Sequence, residues 1–271
     1  SGSKVNVVRP LEARVSGAAR HVRAAIAAPG QRIAVLVEGS LGMRVALLAV
    51  VMTRRGPLAI DQQAYAAMAA LRNPLADRFM AALASLGDLQ ILLPALALSL
   101  CWLLWRRRFA AAMHWLAAVA FGFAFTAFLA LSVEMPRPPT ALDGFGFPSI
   151  PVTMLTIVFG FFAVLIAREM PGRQRVWPYL VAGVAVALPG FARLYFGAHW
   201  LSDIVGGALF GILWLLVLGI AYRRHIGRSF WMRPVATVFY LSFAIAALWH
   251  APRSVDGVLA QFAPPPPTRQ L

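Results

Sequence analysis

The sequence predicts an all-α integral membrane protein, a bundle of six core transmembrane helices with interfacial helices beside them and a seventh span left open. Two observations carry that prediction. Hydrophobic residues make up 60% of the 271 positions against 13% charged, with a mean hydropathy of +0.72, an apolar excess that a water-facing surface cannot hide. Apolar runs of roughly 20 residues, the length a helix needs to cross a bilayer core, also recur along most of the chain.

Taken in order, Ser1-Gly2-Ser3 reads as a tag remnant, with no signal-peptide pattern after it. Leu11, Val15, Ala18, Val22 and Ile26 recur three or four apart, with Arg14, Arg20 and Arg23 elsewhere on the wheel, which predicts a helix lying in the interface over 11–27. A first span over 33–53 carries Glu38 and Arg44, which are six apart and share no helical face. A short amphipathic segment follows at 61–72, then spans at 79–105, 110–133, 151–168, 177–191 and 200–221. A further helix over 232–250 is read as an addition to the core. The domain reading is therefore 1–32 tag remnant and interfacial segment, 33–224 transmembrane domain, 225–250 additional helix and 251–271 Pro-rich tail, ending in Pro264 to Pro267 and the residues beyond.

The net charge of +15 does not indicate nucleic acid, because the Arg residues fall in short clusters between apolar runs and form no continuous basic face. Membrane topology accounts for them. With the amino terminus inside, sixteen Lys and Arg residues lie on the inner side and eight outside, among them Arg137 and Arg193, an orientation the positive-inside rule favours. Cys101 is the only cysteine, so the chain has no internal disulfide.

Two outer loops hold the chemistry. One contains Arg137-Pro138 and then Pro148-Ser149. The other contains Arg193, with His199 six residues on and Asp203 four beyond that. That last spacing is one helical turn and brings both side chains to one face. An imidazole steadied by a carboxylate is a good nucleophile, because the acid fixes the tautomer and supports the cation that forms. Two guanidinium groups add donors shaped for phosphate oxygens. Arg193 also has a bland reading, as an interfacial snorkelling residue with Asp203 as a cap.

These segments resemble the signature of the type 2 phosphatidic acid phosphatases, the lipid phosphate phosphatases, and particularly the bacterial members. The pattern is Lys, six residues, Arg-Pro; then Pro-Ser-Gly-His; then Ser-Arg, five residues, His, three residues, Asp. The third part is the best match, from Ala192-Arg193 through His199 to Asp203, with Gly206 and Gly207 following. The resemblance implies that His199 attacks phosphorus to form a phosphohistidine, that Asp203 orients it, and that Arg137, Ser149 and Arg193 hold the phosphoryl oxygens. It implies no metal and no cofactor. It also implies a multi-pass protein of a bacterial inner membrane, its site facing the periplasm, acting on a phosphorylated or pyrophosphorylated lipid such as a polyprenyl carrier.

Four positions depart from the pattern. Ala130 stands where the pattern has Lys, Ile150-Pro151 replaces Gly-His, and Ala192 replaces Ser; Lys4 is the only lysine in the chain. Losing a general acid costs about 10² to 10⁴ in rate, and losing a charged hydrogen bond removes about 1.5 to 3 kcal/mol. Two readings follow. One is a lipid phosphate or pyrophosphate hydrolase of reduced activity. The other is a pseudophosphatase that binds a lipid phosphate, or supports a fused or partner membrane domain, without breaking a bond. A third possibility is that Ile150-Pro151 was introduced deliberately. His250, Glu134 and Asp143 are the external candidates for a replacement acid.

Around this site, Asp61 reads as an N-cap or surface residue and Trp200 as a headgroup-level anchor. Phe121, Phe123, Phe125 and Phe128 read as lipid-facing or core packing.

Overall fold

A computed structural model describes residues 56–141, 144–225 and 233–263. The segments 11–27 and 33–53, with Glu38, Arg44 and the Ser1-Gly2-Ser3 start, lie outside the described residues, as do Asp143 and the prolines from Pro264. Among the described residues, eight α-helices follow one another: α1 Ala59–Ala70, α2 Pro74–Ser85, α3 Leu89–Trp105, α4 Phe109–Val133, α5 Ile150–Glu169, α6 Val176–Tyr195, α7 Leu201–His225 and α8 Arg233–Gln261, with a 3₁₀ turn at Gly172–Arg175 before α6. Among the described residues, six segments are long and apolar enough to cross a membrane: Pro74–Trp105, Phe109–Val133, Ile150–Glu169, Gly172–Tyr195, Leu201–Gly219 and Arg233–Gln261. This is an all-α, multi-pass membrane protein.

The bundle is organised around α5. Its apolar window is 72% buried, against 22% to 33% for the other five spans, so α5 is sheathed by protein while its neighbours face lipid. It packs on α6 and α7, and α8 lies along α3 and α2. Glycines bring α7 close to α5: a Cβ at Gly211 would meet Thr156, and one at Gly207 would meet the Ser149 carbonyl at 2.8 Å. Small residues of this kind let helix backbones approach where lipid offers no hydrophobic drive. Trp115 centres an aromatic cluster with Phe161 and Phe162, each at 5.0 Å between ring centroids, and with Phe239 at 6.3 Å. The outer faces of α3, α4, α6 and α8 expose Leu98, Phe128, Val181 and Leu248, the apolar belt that a bilayer solvates.

Three boundaries differ from the sequence reading. The expected span 79–105 is two helices, α2 and α3, broken at Leu86–Asp88, where Asp88 becomes the N-cap of α3. The last helix continues past His250 to Gln261, so 251–261 is no tail; Val255, Val258, Leu259 and Phe262 recur at helical spacing and pack against Ala81, Ala84, Tyr195 and Phe196. Nor is α8 a mere addition, since Val235 and Phe239 are fully buried in the main core. Phe121, Phe123, Phe125 and Phe128 are exposed, as a lipid face requires.

Candidate functional site

The site lies where the α4–α5 loop, the α6–α7 loop and the first turn of α7 meet. Trp200 is the residue ahead of α7, and its backbone N–H donates to Asp203 Oδ2 at 2.8 Å. An acidic residue in the first turn reaching back to the capping amide is half of a capping box. The same Oδ2 lies 3.4 Å from His199 Nδ1, an ion-pair distance too long for a well-formed hydrogen bond. His199 therefore sits two residues before α7, and the spacing of four still brings it onto the Asp203 carboxylate. Both side chains are almost wholly buried, at 6% and 0% exposure.

The loop between α4 and α5 closes over this pair. Trp200 Nε1 donates to the Pro136 carbonyl at 2.8 Å, and Thr140 Oγ1 donates to the carbonyls of Phe196 and Gly197. Trp200 is thus a buried lock between loops and not the headgroup anchor expected of it, because its indole N–H has a carbonyl to satisfy inside the protein. Gly197 has φ +63°, and a Cβ there would strike Tyr65 and Thr140, so glycine is required on both counts. Gly146 is pressed between the two functional loops: a Cβ there would meet Asp203 Oδ2 at 2.6 Å and Arg137 Cγ at 3.2 Å. Arg137 is thereby held beside Asp203, its Nε donating to the Phe145 carbonyl at 3.2 Å.

Ser149 is fully buried at the head of α5. Its backbone N–H donates to the Asp203 carbonyl at 3.0 Å, while its Oγ has no hydrogen-bond partner. Asp203 Oδ1 is also buried and unpartnered. Orphaned polar atoms are rare in folded proteins because each costs the full desolvation of the group, so two of them beside a buried imidazole mark a place built for a polar ligand. Ile150 and Pro151 are the first residues of α5, where proline gives up no helical hydrogen bond. Ala130 sits in the last turn of α4, its carbonyl accepting from Glu134, an exposed αL residue ending that helix. Ala192 is buried against Tyr195 and Phe196.

Arg193 reaches the site from the end of α6 and is itself buried. Its Nη2 lies 3.6 Å from Asp88 Oδ1 and its Nη1 donates to the Pro189 carbonyl. It pairs with Asp88 and not with Asp203. Burial pushes the His199 imidazole below its ordinary pKa; Asp203 opposes that, and the positive charges of Arg137 and Arg193 reinforce it. The ring is therefore held neutral with its nitrogen lone pair available, the state a nucleophile needs.

Two residues were undervalued by the sequence. Asp61 on α1 is fully buried: Oδ1 accepts from Ser202 N–H at 2.8 Å, Oδ2 from Ser202 Oγ at 2.9 Å and from Leu58 N–H at 2.9 Å. It ties the first turn of α7 to α1 as well as completing its own helix start. Asp88 had no assigned part at all, and the Gly87-Asp88 pair inside an apolar run was the signal available. Beside the site, a cavity of about 410 Å³ is bounded by Tyr65, Arg72, Asp77, Thr140, Phe196 and Gly197. The Arg72 fork is spent on Asp77, at 2.8 and 3.1 Å.

The chain is 30% identical over 87 residues to phosphatidylglycerophosphatase B of Bacillus subtilis (strain 168), an alignment taking in 30% of this chain and 43% of the relative, so the chain spans under half of that relative's length. The crystal structure of the first transmembrane PAP2 type phosphatidylglycerolphosphate phosphatase from Bacillus subtilis has the same fold, with a TM-score of 0.61 at 21% identity over 71% of this chain and 98% of that one. The family model of the PAP2 superfamily matches residues 131–227, the stretch that holds Arg137, Ser149, Arg193, His199 and Asp203, so this part of the chain is similar to that superfamily.

Proposed function

We propose that this protein hydrolyses the phosphoester or diphosphate of a membrane lipid through a phosphohistidine at His199, without a metal. The observation that carries the reading is the convergence of a neutral, buried His199 with Asp203, two guanidinium side chains and the orphaned Ser149 hydroxyl at one end of the bundle. His199 attacks phosphorus and Asp203 supports the cation as it forms. Arg137, Arg193 and Ser149 meet the charge that spreads over the phosphoryl oxygens, where fixed donors in a dry site count most. The relatives whose names specify phosphatidylglycerophosphate make an anionic glycerolipid phosphate a natural first substrate, with a polyprenyl diphosphate as the other. The adjoining cavity of about 410 Å³ is roomy enough for a polar headgroup. Charge distribution favours a site on the outer face of a bacterial inner membrane, since Arg106, Arg107, Arg108, Arg173 and Arg175 all lie at the opposite end of the bundle.

The second reading is a phosphate-binding pseudophosphatase, favoured by Ala130 and Pro151 where a lysine and a histidine are expected. One experiment separates the two. Purified protein is incubated with phosphatidylglycerophosphate or a polyprenyl diphosphate labelled at the terminal phosphate, and both released phosphate and protein-bound label are followed. Turnover with acid-labile label that disappears in His199→Ala supports the enzyme. Binding without release supports the pseudophosphatase, and release that persists in His199→Ala rejects the mechanism.

A further inference from the structure

Transfer of a phosphoryl group from an alcohol to His199 expels an alkoxide, which needs a proton. None of the five site residues offers one: His199 and Asp203 are committed to the attack, and a guanidinium and a serine hydroxyl are both acids too weak for the task. Position 151 is proline. A second imidazole nevertheless lies at this end of the bundle. Asp88, at the start of α3, makes no side-chain cap for its own helix, although capping is the usual reason for an aspartate there. Its carboxylate instead bridges two side chains: Oδ1 lies 3.6 Å from Arg193 Nη2 and Oδ2 lies 3.4 Å from His250 Nε2 on α8. The turn that carries it is pressed onto the same guanidinium, since a Cβ at Gly87 would meet Arg193 Nη2 at 2.8 Å. His250 and Asp88 are a quarter and a third exposed, so the pair stays open to substrate and water while His199 is buried. Among the described residues, His114 lies at the start of α4, about 30 Å along that helix from its site end, and His225 ends α7, whose first turn carries the site.

We infer that Asp88 and His250 form the acid–base pair of this reaction. The inference rests on the proposed hydrolysis at His199. As the P–O bond to the alcohol breaks and the N–P bond to His199 forms, the proton held between Asp88 Oδ2 and His250 Nε2 passes to the departing oxygen. The pair is left as carboxylate and neutral imidazole. Water then attacks the phosphohistidine, and its proton returns to the pair as the N–P bond breaks, restoring the starting state with free phosphate.

The test compares two leaving groups on the purified full chain: dioleoyl phosphatidic acid, which releases an alkoxide, and p-nitrophenyl phosphate, whose phenolate departs without a proton. His250→Ala, His250→Gln and Asp88→Asn are each assayed on both substrates, with elution profile and melting temperature as the check of fold. The expected result is a loss of about 10² to 10⁴ in kcat on phosphatidic acid and at least tenfold less loss on the nitrophenyl ester. Equal losses on the two substrates mean a structural role and overturn the inference, as does no loss on either. His199→Ala keeps the outcomes distinct: it abolishes both reactions if the proposed function holds. If His199→Ala leaves both intact, or the unaltered protein turns over neither, the proposed function itself fails and takes this pair with it.

Discussion

The carboxylate of Asp61 and the backbone amide of Ser202 meet at 2.8 Å across 141 residues of sequence, and Ser202 Oγ donates to the same side chain at 2.9 Å. The first amides of a helix have no partner within it, and here one of them is satisfied from another helix. Asp61 thereby fixes the angle at which α7 presents Asp203, and through it His199. Asp61→Ala strands the Ser202 amide and hydroxyl in a buried place and is expected to cost about 1.5 to 3 kcal/mol, read as a lowered melting temperature in detergent. Asp61→Asn keeps an acceptor for the amide and should lose less. An alanine variant that melts with the parent protein contradicts this role.

Much of the fold was legible because lipid imposes a coarse rule. Residues 110–133, 151–168 and 200–221 read as spans from apolar length alone, and helices lie there. The break inside 79–105 was not, because the reason for Gly87-Asp88 is Arg193, more than a hundred residues away. His199 and Asp203 were found from spacing, since four residues is a local relation. Asp61 and Trp200 were misjudged because their partners, Ser202 and the Pro136 carbonyl, are contacts that only the assembled bundle creates. The 251–261 helix had a local signal in the helical spacing of Val255, Val258 and Leu259, which the sequence reading of a Pro-rich tail from 251 did not use.

The lowered pKa of His199 sets a pH dependence with a definite sign. In the unfolded chain the ring titrates near an ordinary value of about 6.5, while burial holds the folded ring below that. Between the two, the unfolded state binds more protons, so stability is fully present above the ordinary value and is lost as pH falls through the window beneath it. The same neutral ring carries activity, so the acid limb of the rate profile should lie below 6.5. Melting temperature followed from pH 7.5 to 5 should fall less in His199→Gln than in the parent. Parallel curves for the two proteins contradict the assignment.

Gly207 tests whether the close approach of α5 and α7 holds Ser149 in place. An added Cβ would meet the Ser149 carbonyl at 2.8 Å and Thr153 Oγ1 at 3.0 Å, and a backbone atom cannot swing aside as a side chain can. Gly207→Ala is expected to destabilise by about 1 to 3 kcal/mol through overpacking. Gly219→Ala, where a Cβ meets nothing within 4 Å, should be nearly neutral or mildly stabilising. Thermal unfolding of both variants decides the point, and equal effects would argue against a tight contact at Ser149.

Arg193→Lys separates charge from shape. The guanidinium touches Asp88 and the Pro189 carbonyl at once, a two-sided arrangement that an ammonium cannot reproduce. Losing one charged hydrogen bond to phosphate corresponds to about 10- to 150-fold in kcat/KM, and the lysine variant should fall within that range while staying folded. Arg193→Ala should lose at least as much and lower the melting temperature too, because it leaves Asp88 without its buried cation. Wild-type kcat/KM in Arg193→Lys would mean that Arg193 does not bind phosphate.

Pro151→His asks whether position 151, where the resembled pattern has its histidine, faces the reacting phosphate. Proline at this second position of α5 donates no helical hydrogen bond, so replacing it costs the helix little. If His250 has taken over proton donation, Pro151→His in the parent should change kcat on phosphatidic acid only modestly, since one acid suffices. In the His250→Ala background the same substitution should restore at least tenfold, within the range of about 10² to 10⁴ that a positioned acid supplies. Restoration should again be confined to the alkoxide leaving group. A folded double variant with no recovery contradicts the placement of position 151 beside the leaving oxygen.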